Sequence, residues 1–292
     1  MLDVSRTLRR RDVVVGLPAL GLSSSLLSSV GCAHEPVSYA TRSQRFERDG
    51  VFHVGNSTHL IVLGGVHVLT DPWLKDPADR ILRHRVAPAA LPVDVDVLLL
   101  THEHEDHFDV EALALVNKNA VVVVPSWLEA RVKALGFKDV RAVKPGDVLK
   151  NVGGLRVDVV LAKHDCDEVV YRFGDGQRRV FFGGDTLPTP EITALATSKD
   201  DGGCDFAILP ADAGALMGTR RVMNIDEAVA MGRSFGVDQP GKGCMLTHHE
   251  FELTSAVWNL IVDVKPVDTS KLPAWFTVPV PAQHLSFPWS SP

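Results

Sequence analysis

The chemistry this chain advertises most openly lies between positions 102 and 107. Thr101 is followed by His102, Glu103, His104, Glu105, Asp106 and His107, an H-x-H-x-D-H pattern that packs three imidazoles and a carboxylate into six residues. In an extended segment, residues two apart project to the same side, so His102 and His104 can grip one cation together. A turn into a following helix then aims Asp106 and His107 at a second cation nearby. Neutral imidazoles with carboxylates suit zinc first, and iron or manganese also. A lone H-x-H would read as a solvated turn. All four residues at this spacing, directly behind an apolar run, read as a site.

A site for two divalent ions needs further ligands from distant parts of the chain. Three candidates each follow an apolar run. His164 follows Leu155–Leu161, and its bland alternative is a surface histidine between Lys163 and Asp165. Asp185 follows Val180–Phe182, behind Gly183-Gly184, which permits close backbone approach. His248 follows Cys244–Thr247, with His249 beside it as the alternative last ligand. Asp71, at a strand end in Asp71-Pro72-Trp73, is a candidate to hydrogen-bond a ligand imidazole, although Asp-Pro is equally a plain turn. Arg220-Arg221 reads first as a solvated basic pair and second as a phosphate anchor. Cys166 reads first as a small buried residue and second as a pocket liner. Two cations sharing a water would lower its pKa and present hydroxide as a nucleophile. Asp106 is then also the candidate catalytic residue, orienting that hydroxide by a hydrogen bond. The expected reaction is hydrolysis of a phosphodiester, lactone, thioester or amide. No G-x-S-x-G motif offers a serine nucleophile.

The elements that must position these residues alternate between β-rich and helical runs. Val51–Val54, His59–Leu63 and Val66–Thr70 are strand candidates, the last two joined by the hairpin signal Gly64-Gly65. Residues 75–92 read as loop. Val95–Leu100 has the apolar character of a buried strand. Asp109 can cap a helix over Val110–Val116, and Ser126 a helix ending before Gly136. Ala120–Val124, Val140–Val143, Leu155–Leu161, Val169–Phe173, Val180–Phe182, Phe206–Leu209 and Cys244–Thr247 are further strands. Asp226–Phe235 and Thr254–Val262 read as helices. The order predicts two similar half-domains in an α/β, four-layer αββα sandwich, with the ligands gathered along one sheet edge.

With 292 residues, 45% hydrophobic and 23% charged, the chain can bury a full core without disulfides. A net charge of −6 with both signs mixed gives no nucleic-acid surface. The four cysteines lack C-x-x-C spacing. Residues 1–31 read as an export signal peptide: basic Arg6–Arg11, then an apolar Gly- and Ser-rich stretch, then small residues. Arg10-Arg11 followed by one polar residue and valines resembles a twin-arginine signal. Cys32 after Ser29-Val30-Gly31 resembles a lipid-attachment site that would tether a periplasmic or membrane-anchored lipoprotein. An ordinary cleavage before Cys32 also suits Ser29 and Gly31. A membrane helix is disfavoured by Pro18 and the serines. Residues 32–50 read as a linker and 51–292 as the catalytic domain.

H-x-H-x-D-H, then His164, Gly184-Asp185-Thr186 and His248 occur in the order of the metallo-β-lactamase superfamily, and the resemblance spans Val51 to His249. Within it the chain resembles the branch containing N-acyl-phosphatidylethanolamine phospholipase D and the ascorbate-6-phosphate lactonase-like proteins. The landmarks are Gly55-Asn56-Ser57-Thr58, Leu69-Thr70-Asp71-Pro72-Trp73 and Leu91-Pro92. The resemblance implies that His102, His104 and His164 hold one ion, that Asp106, His107 and His248 hold the other, and that Asp185 bridges them. It also implies a small or lipid-like substrate. The chain departs from that branch at Asn224, where a histidine is usual before Glu227-Ala228, and at His248-His249-Glu250-Phe251, where His-Trp-Gly-Thr is usual. A mononuclear iron dioxygenase acting on persulfides would need only the first site, and a non-catalytic exported metal- or ligand-binding protein would need no reaction at all. Metal content separates the first of these from a two-zinc hydrolase.

Overall fold

The computed structural model describes residue 46 and residues 48–77, 79–91, 94–211, 215–255, 262–263 and 267–287. The expected leader (1–31) and the lipid-attachment candidate Cys32 lie outside these residues, as does most of the expected linker (32–50). Among the described residues no helix is long and apolar enough to cross a membrane.

The first half of the chain builds one seven-stranded sheet. β1 (Gly50–Gly55), β2 (Thr58–Leu63) and β3 (Val66–Thr70) form an antiparallel meander. β1 starts at the last residue of the expected linker. The β2–β3 turn is Gly64-Gly65, both at positive φ (56° and 80°), as a two-residue hairpin of primed type requires. β5 (Val97–Leu99), β6 (Val121–Pro125) and β7 (Asp139–Val143) then add in parallel beyond β3. The second half builds the partner sheet. β8 (Val148–Val152), β9 (Leu155–Leu161), β10 (Val169–Gly174) and β11 (Arg179–Phe182) run antiparallel. β12 (Phe206–Pro210) and β14 (Gly243–Thr247) continue parallel to β11. β17 (Phe276–Thr277) closes that sheet, and β18 (His284–Ser286) returns to pair with β1.

Alternation sends every second side chain of each strand to the opposite face, and the buried residues sort accordingly. Ile61, Val68, Val97, Leu99 and Val123 of one sheet meet Val157, Tyr171, Phe173, Phe182 and Ile208 of the other. The outer face of the first sheet packs on α1 (Val110–Leu115) and α2 (Glu129–Ala134). The outer face of the second packs on α3 (Pro190–Thr197) and α4 (Ile225–Ser234). The architecture is the expected αββα sandwich. The buried Tyr171 hydroxyl donates to Leu100 O across the two sheets at 2.6 Å, pinning the strand end from which the histidine motif leaves.

Helix ends show where local signals hold. Asp109 caps α1 by accepting from Glu111 N. Asn224 and Glu227 form a reciprocal capping box at the start of α4, so the departure at Asn224 has a structural role here. Ser126 does not cap α2. That helix begins at Glu129 with Leu128 as an N-cap lacking a side-chain bond, because Ser126–Leu128 form a turn whose Leu128 N–H returns to Pro125 O. α3 was not expected, and its signals are Thr189 as N-cap and Pro190 in the first turn. The segment expected to be loop, 75–92, contains β4 (Leu82–His84), which pairs with β15 (Phe251–Leu253). Of the helix expected over Thr254–Val262, residues 256–261 lie outside those described. Its last residue instead begins β16 (Val262–Asp263), paired with β13 (Ala215–Leu216).

Candidate metal centre

β9 and β11 are both antiparallel to β10, so they point the same way, as do β11 and β14. The carboxyl ends of β9, β11 and β14 in one sheet meet those of β3 and β5 in the other. This is the edge at which open α/β sheets bind ligands. Each sequence-predicted ligand leaves one of these ends.

The structure brings all seven together in two groups. His102, His104 and His164 form the first, with Cys166, and Asp106, His107, Asp185 and His248 form the second. Within each group the liganding atoms lie within 4.8 Å of one another. In the second, Asp185 Oδ1 is 3.2 Å from His107 Nε2 and Asp185 Oδ2 is 2.9 Å from His248 Nε2. Asp106 Oδ2 lies 3.5 and 3.4 Å from the same two nitrogens. Asp185 also faces the first group, with Oδ2 3.8 Å from His164 Nε2 and 4.0 Å from His102 Nε2. Its carboxylate therefore stands between the two. His248 is the histidine in the site. His249 turns away, and burial drops its pKa to about 4 despite the neighbouring Glu250.

The donor set fits cations. Among the described residues His102 Nε2 is buried without a hydrogen-bond partner, and His107 Nε2 and Asp185 Oδ1 are buried against each other at 3.2 Å without hydrogen-bond geometry, a costly arrangement unless something polar or charged satisfies them. Burial and the neighbouring His107 hold His102 well below the usual imidazole range, so it is neutral, as a ligand must be. Burial pushes the Asp185 carboxyl up, but His107 and His248 outweigh it and hold the carboxyl well below its ordinary range. Burial likewise opposes charge on His248, yet Asp185 and Asp106 raise it to about 10. The two carboxylates thus draw positive charge into a buried place, which a metal ion would supply directly.

Supporting groups fix the imidazoles. Asp71 Oδ2 accepts from His107 Nδ1 at 2.8 Å, while the same carboxylate accepts from Thr101 N at 2.8 Å and Thr101 Oγ1 at 2.6 Å. Asp71 thus ties the His107 ring to Thr101, just beyond the end of β5. His164 Nδ1 donates to Arg221 O at 3.0 Å. Three of the described non-glycine residues at positive φ border the site: Asn56 (45°), Asp71 (32°) and His248 (57°). Strain of this kind persists where the surroundings enforce it.

Several contributors escaped the sequence reading. Glu168 is buried with Oε1 3.4 Å from His102 Nδ1 and accepts from Asp185 N at 2.8 Å. Burial, reinforced by Asp185, raises its pKa to about 8. Asn56 Nδ2 reaches Asp106 Oδ2 at 3.4 Å. Glu250 accepts from Asn56 N at 3.0 Å and faces His53 Nε2 at 2.8 Å. The one available signal was alternation, since Glu168 is two positions past Cys166 and four past His164. A β-carbon at Gly184 (φ +46°) would lie 2.2 Å from Glu168 Oε1. Gly184→Ala is therefore expected to destabilise the fold by about 1–3 kcal/mol and to displace Asp185; thermal denaturation and metal content check both.

A cavity of about 350 Å³ opens over both groups. His104, Asp106, His164, Asp185 and His248 form its floor, and Ile81, Leu82, Val222, Phe251, Leu253 and Val262 its apolar walls.

Residues 51–231 match the model of the β-lactamase superfamily domain. The chain belongs to the metallo-β-lactamase superfamily. It is 30% identical over 253 residues to an uncharacterized protein of Mycobacterium tuberculosis (strain ATCC 25618 / H37Rv), covering 79% of this chain and 67% of that one. It is 33% identical over 162 residues to a metal-dependent hydrolase of Koribacter versatilis, covering 49% of this chain and 64% of that protein. A possible metal-dependent hydrolase from Veillonella parvula shares the fold, with a TM-score of 0.65 and 17% identity over 82% of this chain and all of that one.

Proposed function

We propose that this superfamily member hydrolyses a phosphodiester, lactone or related ester or amide bond of a small or lipid-like substrate at a two-cation site, with zinc the preferred metal. In this reading His102, His104 and His164 hold one ion, Asp106, His107 and His248 the other, and Asp185 both. The observation that carries it is the convergence of two ligand groups on either side of the Asp185 carboxylate, with His102 Nε2 buried and without a hydrogen-bond partner among the described residues.

Two bound cations supply Lewis acidity and a water ionised near neutral pH. The chain's own groups do the rest. Asp71 holds the His107 ring so that Nε2 faces the centre. Asn56, clamped by Glu250, steadies Asp106, whose carboxylate would accept a hydrogen bond from the attacking hydroxide. The apolar walls bind the substrate's hydrocarbon part and exclude bulk water. A mononuclear iron dioxygenase would leave the second group, all four residues buried, without a purpose. A purely structural zinc site has four closed ligands, whereas this one opens into a cavity.

The test is metal quantification of purified protein, followed by assays on bis(p-nitrophenyl) phosphate, lactones and nitrocefin. Two zinc ions per chain with turnover of one class supports the reading. A single iron, or no turnover across the panel with metal loaded, overturns it. The adjacent arginines should separate. Arg220 is engaged by Glu227 at 2.9 Å and outside the cavity, whereas Arg221 lines it with Nε buried and unpartnered among the described residues. Arg221→Ala is expected to raise KM for anionic substrates roughly tenfold, the scale of about 1.4 kcal/mol, with Arg220→Ala near wild type; steady-state kinetics on anionic and neutral ester pairs checks this. Export through residues 1–31, with lipid on Cys32, is also proposed. The basic start, apolar middle and Cys32 support it, and palmitate labelling or globomycin sensitivity tests it.

A further inference from the structure

The two groups of ligands differ in one atom type. The second contains two imidazoles and two carboxylates. The first contains three imidazoles and the Cys166 thiol, whose sulfur lies within 4.8 Å of the ligand nitrogens of His102, His104 and His164. The loop from 162 to 168, between β9 and β10, sets this up by alternation. His164, Cys166 and Glu168 turn inward and Asp167 is exposed between them, while Asp165, though exposed, brings its carboxylate back to His164. His102 Nε2, fully buried and without a hydrogen-bond partner among the described residues, belongs to the same group. The other described cysteines, Cys204 and Cys244, are packed in the apolar core under α3 and α4.

We propose that Cys166 is a sulfur ligand of the first cation, making that position a three-histidine, one-cysteine site beside a harder, carboxylate-rich second position. The proposal rests on the two-cation reading above. Three arguments support it. Imidazole and thiolate donors both suit zinc, and with the shared Asp185 they make five donors, a number that zinc reaches when it expands from four. A thiolate selects zinc over manganese or magnesium, whereas carboxylates accept those ions readily. A thiolate also adds negative charge to the first group, whose other three members are all imidazoles. On binding, the thiol gives its proton to solvent as the sulfur–metal bond forms. The consequence is unequal occupancy, with a selective first position and a second that exchanges.

Asp165 is the competing anion, since its Oδ1 lies 2.9 Å from His164 Nε2 and 3.6 Å from His104 Nε2. Cobalt(II) distinguishes oxygen from sulfur. Metal-free protein reloaded with cobalt should develop a near-ultraviolet sulfur-to-cobalt charge-transfer band. Cys166→Ser should lose that band while keeping the visible ligand-field absorption. It should also bind its first ion at least about tenfold more weakly, the lower bound for residues that merely support a ligand. Asp165→Asn and Cys204→Ser should retain the band. In the wild-type protein, zinc should protect Cys166 from iodoacetamide, read by peptide mass spectrometry, and chelation should expose it; this holds even if the serine variant folds poorly. A cobalt-loaded wild type without the band, a band that survives in Cys166→Ser, or alkylation indifferent to zinc would overturn sulfur ligation and leave the two-cation reading intact. Failure of the wild type to bind cobalt or zinc at all would overturn both.

Discussion

Asp185→Asn should lower hydrolysis by about a thousandfold or more, a larger loss than removing a single preorganised donor causes, and should lower metal content to about one ion per chain where the two-cation reading expects two. The reason is position. Asp185 is the carboxylate that faces His107 and His248 on one side and His102 and His164 on the other. Asparagine keeps the shape but removes the charge, and its amide N–H groups would be turned toward imidazole nitrogens that need a cation. His104→Ala is the graded comparison. His104 belongs to the first group only, and its side chain is the most exposed of the ligand imidazoles, at 38%. Its loss should remove one metal equivalent and most activity while leaving the second ion bound. Elemental analysis with initial rates measures both variants. If Asp185→Asn holds two ions and works within tenfold of wild type, the shared carboxylate is misassigned.

The parts of this site that were legible in the sequence are those governed by short spacing or by strand ends. His102, His104, Asp106 and His107 are readable because their geometry follows from one strand running into one capped helix. Asp185, His164 and His248 are readable because each follows an apolar run, and parallel strands deliver their ends to one edge. The choice of His248 over His249 was not readable. It depends on His248 adopting a left-handed backbone (φ 57°), which turns its side chain into the site and leaves His249 outside both ligand groups. Glu168 and Glu250 were missed for a related reason. A buried carboxylate that faces an imidazole or a backbone N–H from a distant strand has no local signature, and the Glu250–Asn56 pair spans 194 positions. Cys166 was read first as a small buried residue and second as a pocket liner, and the folded loop puts it in one group with His164. In the fold, strong strands were read correctly, but short edge pairings such as β4 with β15 were not. Three residues carry too little pattern, and their pairing is decided by which backbone arrives alongside.

Asp71 carries the second large expectation, because it joins the fold and the site through one carboxylate. It is fully buried at the end of β3, and its N–H donates to Leu99 O at 3.1 Å at the end of β5. Its two oxygens accept from Thr101 N, Thr101 Oγ1 and His107 Nδ1. The last of these bonds holds the proton on Nδ1, leaving the Nε2 lone pair directed at the second cation. Asp71→Asn preserves volume but offers one acceptor oxygen where two are in use, and sets an N–H group against Thr101 or His107. Metal affinity at the second position should fall about 10- to 100-fold, and stability by about 1–3 kcal/mol as buried donors lose their acceptor. The two losses must be separated. Excess zinc should restore a large part of the activity, since every direct ligand is still present, whereas it should not restore a merely unfolded protein. If Asp71→Asn loses stability while binding the second ion as tightly as wild type, then Asp71 serves only as the turn residue that its Asp-Pro context first suggested, and the orientation of His107 must come from packing alone.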